Sequence, residues 1–369
     1  MNSKTDIFIL SAGYGEGHNS AAWNIHHALE AHRSTLLLDP CALGSPFTNE
    51  KIRSLYRLIT THTPWIWEKI YNSTEKQDFS KSHIPLMRKP EKLLAKLITQ
   101  HQPKVIISTY PIYPYFLERI YANSPLEKPP IVTLVTDSME INAAWRKAPT
   151  DFWLVTEART RNTLIEQGLP ESKILETGFP VHPHFADLTP VSAEDDLKPF
   201  KMLYFPTAKK PHVRRISKEL LEAAGENSSL TIVLGRNTKN LHSRAQDIKD
   251  IYKERVTIKG WTKKVPELLN SHHVVIGKAG GATVHEALAA ACPMIIHHLV
   301  PGQEQGNLNL LRQLKGGQLA DKPGDLSACI REMLTNDAHE WRTMKRNLLR
   351  QARPAAAETV AKFILSQIS

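Results

Sequence analysis

Short runs of β-branched and other apolar residues recur along the chain, separated by stretches with apolar positions three and four residues apart. The runs predict strands at 6–11, 35–39, 104–109, 131–136, 151–156 and 174–178. A second series falls at 202–205, 230–235, 256–259, 273–277 and 294–297. Segments such as Ile-Val-Thr-Leu-Val are apolar at nearly every position, which suits strands covered on both faces of a parallel sheet. Helical spacing falls at 20–31, 160–167, 284–290 and 304–314, and two further helical segments, 338–351 and 356–367, end the sequence. Strand and helix in alternation imply βαβ units, here in two successive blocks. Between the blocks, 180–199 holds four prolines and an acidic cluster without apolar periodicity, and reads as a connection. The organisation expected is α/β: two Rossmann-like doubly wound domains facing across a cleft. Their bounds are 1–182 and 201–350, joined by a linker at 183–200, with a C-terminal helix in 351–369 packing back on the first domain.

Length and composition agree with that picture. A chain of 369 residues suggests two domains. At 41% hydrophobic and 23% charged it is neither disordered, collagen-like nor a coiled coil. No apolar run approaches the ~18–20 residues of a spanning helix. The N-terminus enters a strand directly, without the apolar core of a signal peptide. Three widely spaced cysteines, Cys41, Cys292 and Cys329, form no disulfide framework or zinc cluster, so a cytosolic setting is expected.

Charge adds a constraint. The net charge is +10, with pI ≈ 9.4, which implies an anionic partner: nucleic acid, phosphorylated small molecule or membrane surface. Residues 50–104 carry a net +6, with Phe47, Tyr56, Trp65, Trp67, Tyr71 and Phe79 interleaved or nearby, whereas 198–218 holds seven Lys and Arg and no acid. Basic residues among aromatics suit a nucleic-acid face or anionic lipid, or simply a solvated helix whose aromatics are core.

Two glycine loops carry the candidate chemistry. After the first strand, Gly13, Gly15 and Gly17 precede His18 and a helix expected from Asn19. Glycines at that spacing allow positive φ and close approach of a ligand, and the free N–H groups of the helix start suit a phosphate or polar head group. His18 could accept a hydroxyl proton at neutral pH, or satisfy backbone groups at the helix start. Asp137 is the second candidate base, a partner that orients His18, or an N-cap. In the second block, Gly280 and Gly281 open a helix that carries Thr283 and Glu286. Glu286 is expected in its first turn, placed to accept both hydroxyls of a ribose. Gln303, Glu304 and Asn307 follow at another helix start, where amides and carboxylates suit sugar hydroxyls.

Together these blocks resemble a known family. SAGYGEGH–NSAA, VTD, TGFPVHP, VLGRN, KGW, GKAGGATVHEAL and PGQEQGN stand in the order and spacing of the diacylglycerol glucosyltransferases and monogalactosyldiacylglycerol synthases. The sequence is more distantly similar to the muramyl-peptide N-acetylglucosaminyltransferase. The resemblance spans roughly residues 7–314. It implies a GT-B fold, with acceptor bound mainly by the first domain and UDP-hexose by the second, and an inverting transfer to the free hydroxyl of 1,2-diacylglycerol. His18 and Asp137 would activate that hydroxyl, beside the loop of Gly13, Gly15 and Gly17. Gly235 and Arg236 would lie on the nucleotide side. Gly260 and Trp261 would meet the uracil, while Gly280, Gly281 and Thr283 would approach the diphosphate. Glu286 would hold the ribose, and Gln303, Glu304 and Asn307 would read the hexose.

No Asp-x-Asp stands at a strand end, so neither metal nor other cofactor is expected beyond the UDP-hexose co-substrate. The implied partners are UDP-hexose, diacylglycerol and an anionic membrane surface, not nucleic acid. The implied location is cytoplasmic, peripherally attached to the inner face of the cell membrane.

One block departs from the family. Where relatives carry a glycine-rich turn after the first strand of the nucleotide domain, residues 205–212 contain no glycine. Lys209, Lys210 and Arg214 could supply charge there instead. The alternatives are another lipid acceptor such as a polyprenyl-linked sugar, a nucleotide-sugar epimerase on the same fold, and a basic nucleic-acid-binding protein.

Overall fold

Two parallel sheets of six strands each organise the computed structural model, which describes residues 4–63, 65–66, 69, 73, 79, 87–207, 210–300 and 304–368. The chain divides into two units: Met1–Pro183 with Val300–Gly306 and Ala355–Ser369, and His184–Leu299 with Asn307–Pro354.

In the first unit, β1 (Ile7–Leu10), β2 (Thr35–Leu38), β3 (Val105–Ser108), β4 (Ile131–Leu134), β5 (Phe152–Val155) and β6 (Ile174–Glu176) run in the order β2-β1-β3-β4-β5-β6. Every residue of β1, β3 and β4 is buried, as two-sided helical cover requires. That cover comes from α1 (Glu16–Leu29), α2 (Pro40–Gly44), α3 (Pro46–His62), α4 (Arg88–His101), α5 (Tyr113–Ala122), α6 (Ala143–Arg146) and α7 (Ala158–Glu166). Gly44 permits α2 and α4 to touch, since a Cβ there would stand 2.7 Å from Pro90 Cα. The C-terminal α14 (Ala356–Ser366) buries Val360 and Ile364 and sets Phe363 edge-on to Phe152, 5.2 Å between centroids.

In the second unit, β7 (Phe200–Tyr204), β8 (Ser228–Val233), β9 (Val256–Lys259), β10 (Val274–Lys278), β11 (Met294–His298) and β12 (Gly317–Leu319) run in the order β12-β11-β10-β7-β8-β9. The helices are α8 (Lys210–Ala224), α9 (Thr238–Tyr252), α10 (Val265–Ser271), α11 (Gly281–Ala289), α12 (Gln305–Gln313), which begins in the first unit, and α13 (Asp325–Leu349). A kink breaks α13, with Asn336, Asp337 and Ala338 at positive φ. Met202, Tyr204, Ile276 and Ile295 form a core with Ile216, Leu220, Met333 and Trp341. Residues 184–199 pack on this unit. The Val191 N–H donates to the Asn270 carbonyl at 3.0 Å, and Arg342 Nη1 donates to the Ala193 carbonyl at 2.6 Å.

Each strand order reverses direction once: between β1 and β3 in the first sheet, and between β7 and β10 in the second. Parallel sheets bind ligands outside the carboxyl ends of the strands at such switch points. The first glycine loop follows β1, and the second follows β10.

Candidate functional site

The first constellation surrounds Trp145, a nearly buried residue of α6. Its indole Nε1 donates to Asp137 Oδ2 at 2.8 Å, and its ring lies 5.9 Å from that of His18. His18 Nδ1 pairs with Thr136 Oγ1 at 2.9 Å, the Thr109 hydroxyl donates to the His18 carbonyl at 3.0 Å, and Tyr110 meets the imidazole edge-on. Burial pushes the imidazole down to about 4, with the backbone contact to Thr109 opposing weakly. Burial pushes the Asp137 carboxyl up to about 6, against the stabilising indole hydrogen bond. The site thus holds a neutral imidazole and a carboxylate that titrates close to neutrality.

Three expectations for this loop need correction. The helix begins at Glu16, not at Asn19, so Gly17 and His18 lie inside its first turn, with Gly15 as an N-cap in extended backbone. None of Gly13, Gly15 and Gly17 takes a positive φ. What Gly13 provides is space: a Cβ there would stand 2.9 Å from the Arg53 guanidinium carbon, while its N–H donates to Asp39 Oδ2 at 3.0 Å. Asp137 caps no helix either, because Asn142 caps α6, and Thr136 rather than Asp137 holds His18 Nδ1. The Asp137 turn is tightly held. Met139 adopts φ 61°, its N–H donates to Thr160 Oγ1 at 2.8 Å, and the Glu140 N–H donates to the Ser138 carbonyl at 2.7 Å. Gly306, in the same unit, closes on that turn, and a Cβ there would clash with the Ser138 carbonyl oxygen.

The second constellation lies at the carboxyl ends of β8, β9 and β10. Gly235, at φ 60°, opens a short turn whose carbonyl accepts from Thr238 Oγ1 at 2.9 Å. A Cβ on Gly260 would meet that Thr238 oxygen at 3.4 Å, so the Gly235–Arg236 turn and the Gly260–Trp261 turn are neighbours. Arg236 is exposed, and the Trp261 ring, 56% exposed, is free to stack on a flat ligand. After β10, Gly280 caps α11 without any side-chain partner, leaving the first N–H groups to face a ligand. Glu286 is the sixth residue of α11, not part of its first turn, so the helix dipole does little for it. Burial alone pushes its carboxyl up to about 7. Asn307 Nδ2 donates to the Ala279 carbonyl at 2.9 Å, tying α12 to the second glycine loop, while its buried Oδ1 has no hydrogen-bond partner among the described residues. Glu304 is buried and accepts the Val300 N–H at 3.0 Å. Lys209 and Gln303 lie outside the described residues, as do Trp67 and Tyr71 of the basic segment.

The structure therefore groups His18 with Asp137, Gly235 and Arg236 with Gly260 and Trp261, and Gly280, Gly281 and Thr283 with Glu286 on one helix. Thr136, Trp145 and Gly306 were not chosen from sequence, although Gly306 stands inside the PGQEQGN block.

Comparison with known proteins falls on the same blocks. The family model for monogalactosyldiacylglycerol (MGDG) synthase matches residues 18–181, the stretch that runs from His18 through Asp137. A processive diacylglycerol beta-glucosyltransferase of Bacillus licheniformis is 24% identical over 376 residues, covering 100% of this chain and 96% of that protein. The chain is similar along its whole length to processive diacylglycerol glucosyltransferases, and over residues 18–181 to the monogalactosyldiacylglycerol synthase family model. Among solved structures, Acinetobacter baumannii MurG aligns with a TM-score of 0.63 at 12% identity, covering 98% of this chain and 99% of that one. Arabidopsis thaliana UGT89C1 complexed with UDP-L-rhamnose aligns at 0.62 and 11%, covering 100% of both. Those two likenesses establish the fold, which is GT-B-like, as the two six-stranded parallel sheets already indicate.

Proposed function

We propose that the chain transfers a hexose from a UDP-hexose to the free hydroxyl of 1,2-diacylglycerol, with inversion at the anomeric carbon. The observation that carries this reading is the pairing of Asp137 and His18 around Trp145 within the stretch matched by the family model. In this mechanism Asp137 takes the acceptor proton as the alcohol oxygen bonds to the anomeric carbon. The bond to the β-phosphate oxygen breaks with its electron pair, and UDP leaves. Neutral His18, fixed through Nδ1, orients the hydroxyl. The open N–H groups of α11 and the acid-free basic stretch, Lys209 and Arg214 included, stabilise the departing diphosphate.

Product analysis tests the reading: UDP-glucose and UDP-galactose are each offered with diacylglycerol vesicles, and with a polyprenyl-linked sugar in parallel. Glycosylated diacylglycerol is the expected product. Transfer to the polyprenyl acceptor alone would reassign the acceptor, and no transfer to diacylglycerol from either donor would end the proposal.

Glu286 gives a second expected outcome. A carboxylate accepting ribose hydroxyls must be ionised, and burial places its titration near 7. UDP affinity is therefore expected to fall as pH drops below 7. Glu286→Gln is expected to weaken UDP about 10- to 100-fold, the worth of hydrogen bonds to a charged group, and to flatten the pH dependence. Calorimetric titration across pH 5.5–8.5 measures both.

The acceptor is water-insoluble, so the enzyme must reach a lipid surface, yet among the described residues no helix is long and apolar enough to cross a membrane. The face of α2 and α3 supplies a peripheral contact. Leu43, Phe47, Leu55 and Leu58 are all more than half exposed, with Lys51 over the Phe47 ring at 4.3 Å. Trp65 and Lys69 repeat that pairing at 5.3 Å. Apolar side chains with cations beside them suit an anionic membrane. Phe47→Glu is expected to lower binding to anionic vesicles at least about tenfold, from loss of a buried aromatic, and to leave UDP binding unchanged in co-sedimentation and titration.

A further inference from the structure

The loop after β5 carries a carboxylate that none of the roles above uses. Glu157 stands at the N-cap position of α7, yet its side chain caps no backbone N–H of that helix. Its two oxygens accept instead from hydroxyls, Oε2 from Thr156 and Oε1 from Thr160. Both threonines are buried, Thr160 completely. Burial pushes the Glu157 carboxyl up and the Glu176 charge adds to that, while the two hydroxyls and the Met139 N–H act to hold it down.

The direction of those hydrogen bonds leads to the Asp137 turn. A carboxylate only accepts, so each threonine commits its proton to Glu157 and presents lone pairs elsewhere. Thr160 Oγ1 accordingly accepts the Met139 N–H at 2.8 Å. Thr156 Oγ1 meets Ser138 Oγ at 3.4 Å, and with the threonine proton already committed Ser138 is the donor of that pair. Ser138 and Met139 are the two residues that follow Asp137. Met139 is held at φ 61°, a left-handed conformation uncommon for a methionine. Ser138 offers the carbonyl on which Gly306 closes. Because β4 and β5 are paired in parallel, the loop that carries Asp137 and the loop that carries Glu157 leave the sheet side by side. The glutamate at this helix start thus grips the neighbouring turn rather than its own helix.

We propose that Glu157 is a positioning residue for the acceptor base: through Thr156 and Thr160 it holds the Ser138–Met139 backbone, and with it the direction in which Asp137 presents its carboxylate. The inference rests on the reading of Asp137 as the base and deepens it. Trp145 anchors one oxygen of that carboxylate, and Glu157 anchors the backbone from which the carboxylate projects. Both are needed, because a base displaced from the hydroxyl it must deprotonate loses rate steeply.

A double-mutant cycle tests it. Glu157→Gln, Thr160→Val, Asp137→Asn and the combination of Glu157→Gln with Asp137→Asn are assayed for hexose transfer, titrated with UDP and melted. Glutamine keeps the size of the side chain but turns one acceptor into a donor, and valine removes the oxygen that holds the Met139 N–H. Glu157→Gln and Thr160→Val are each expected to lower kcat about 10- to 30-fold, less than a full 1 Å displacement would, and to leave UDP affinity unchanged. Because Glu157 acts through Asp137, the combined variant is expected to be no slower than Asp137→Asn alone. A glutamate that only supported the fold would multiply the two losses. Multiplied losses, wild-type kcat in both single variants, or a fall in UDP affinity matching the fall in kcat overturns the inference. So does failure of both Glu157→Gln and Thr160→Val to fold, which would make the cluster part of the framework. If Asp137→Asn itself turns over at the wild-type rate, the base assignment falls and this inference with it, so the two failures are told apart.

Discussion

Gly306→Ala is expected to lower the thermal midpoint by several degrees and to cut hexose transfer more than about 100-fold. The added Cβ would clash with the Ser138 carbonyl oxygen, and it would also press on the Ser138 carbonyl carbon at 3.1 Å and the Glu140 nitrogen at 3.3 Å. All three atoms belong to backbone, so no rotamer change relieves the clash. Nor can the turn swing aside. Met139 is held at φ 61°, its N–H is bound to Thr160 Oγ1, and the Ser138 carbonyl already accepts the Glu140 N–H. Overpacking of this kind costs about 1–3 kcal/mol, and more where neighbours cannot yield. Whatever movement does occur passes to Asp137, one residue away, and a displacement of about 1 Å at a reacting group is enough for a 100-fold loss. A thermal melt and a transfer assay on the same preparation measure both effects. Wild-type values in each would show that the Asp137 turn is not clamped by this contact.

That contact also shows what sequence does and does not make legible. The apolar runs located the strands of both sheets within a few residues, because a parallel strand buried on both faces has little freedom of composition. The exception is β12: Gly317, Gln318 and Leu319 form three residues without an apolar run, and only pairing with β11 makes them a strand. Helix starts were read less well. Glycine at 15 and 17 argued for a loop, yet α1 begins at Glu16, because Gly15 serves as an extended N-cap. The motifs located His18, Asp137 and Glu286 but not their surroundings. That Trp145 holds Asp137, that Thr136 holds His18, and that Glu286 lies beyond the first turn of α11 depend on tertiary packing that no local pattern encodes.

Asp137→Asn is expected to reduce turnover by about 10²- to 10⁴-fold, the usual range for loss of a general base, while making the folded protein more stable. The wild-type rate should rise with pH through about 6, where Asp137 loses its proton; a limb near 4 would instead mark His18 as the base. Asp137 is the stronger base of the two at neutral pH, which is why the proton is assigned to it. The stability signs follow from linkage. The folded pKa of Asp137 lies above its unfolded value, so its contribution is fully present below about 4 and is lost as pH rises through about 6. His18 is depressed when folded, so its cost is greatest below about 4 and is relieved as pH rises toward its unfolded value near 6.5. In the wild type the two opposing slopes largely cancel across pH 4–6. Asp137→Asn removes one of them, so the stability of the variant should climb with pH over that window and exceed wild type above it. The gain is at most about 3 kcal/mol, because each pH unit separating folded from unfolded titration is worth about 1.36 kcal/mol. The asparagine oxygen can still accept the Trp145 N–H, so the indole remains anchored. His18→Ala is expected to slow transfer yet keep the limb near 6. Survival of the limb near 6 in Asp137→Asn would show that another group sets it, and a variant less stable than wild type at pH 7 would assign Asp137 a structural role.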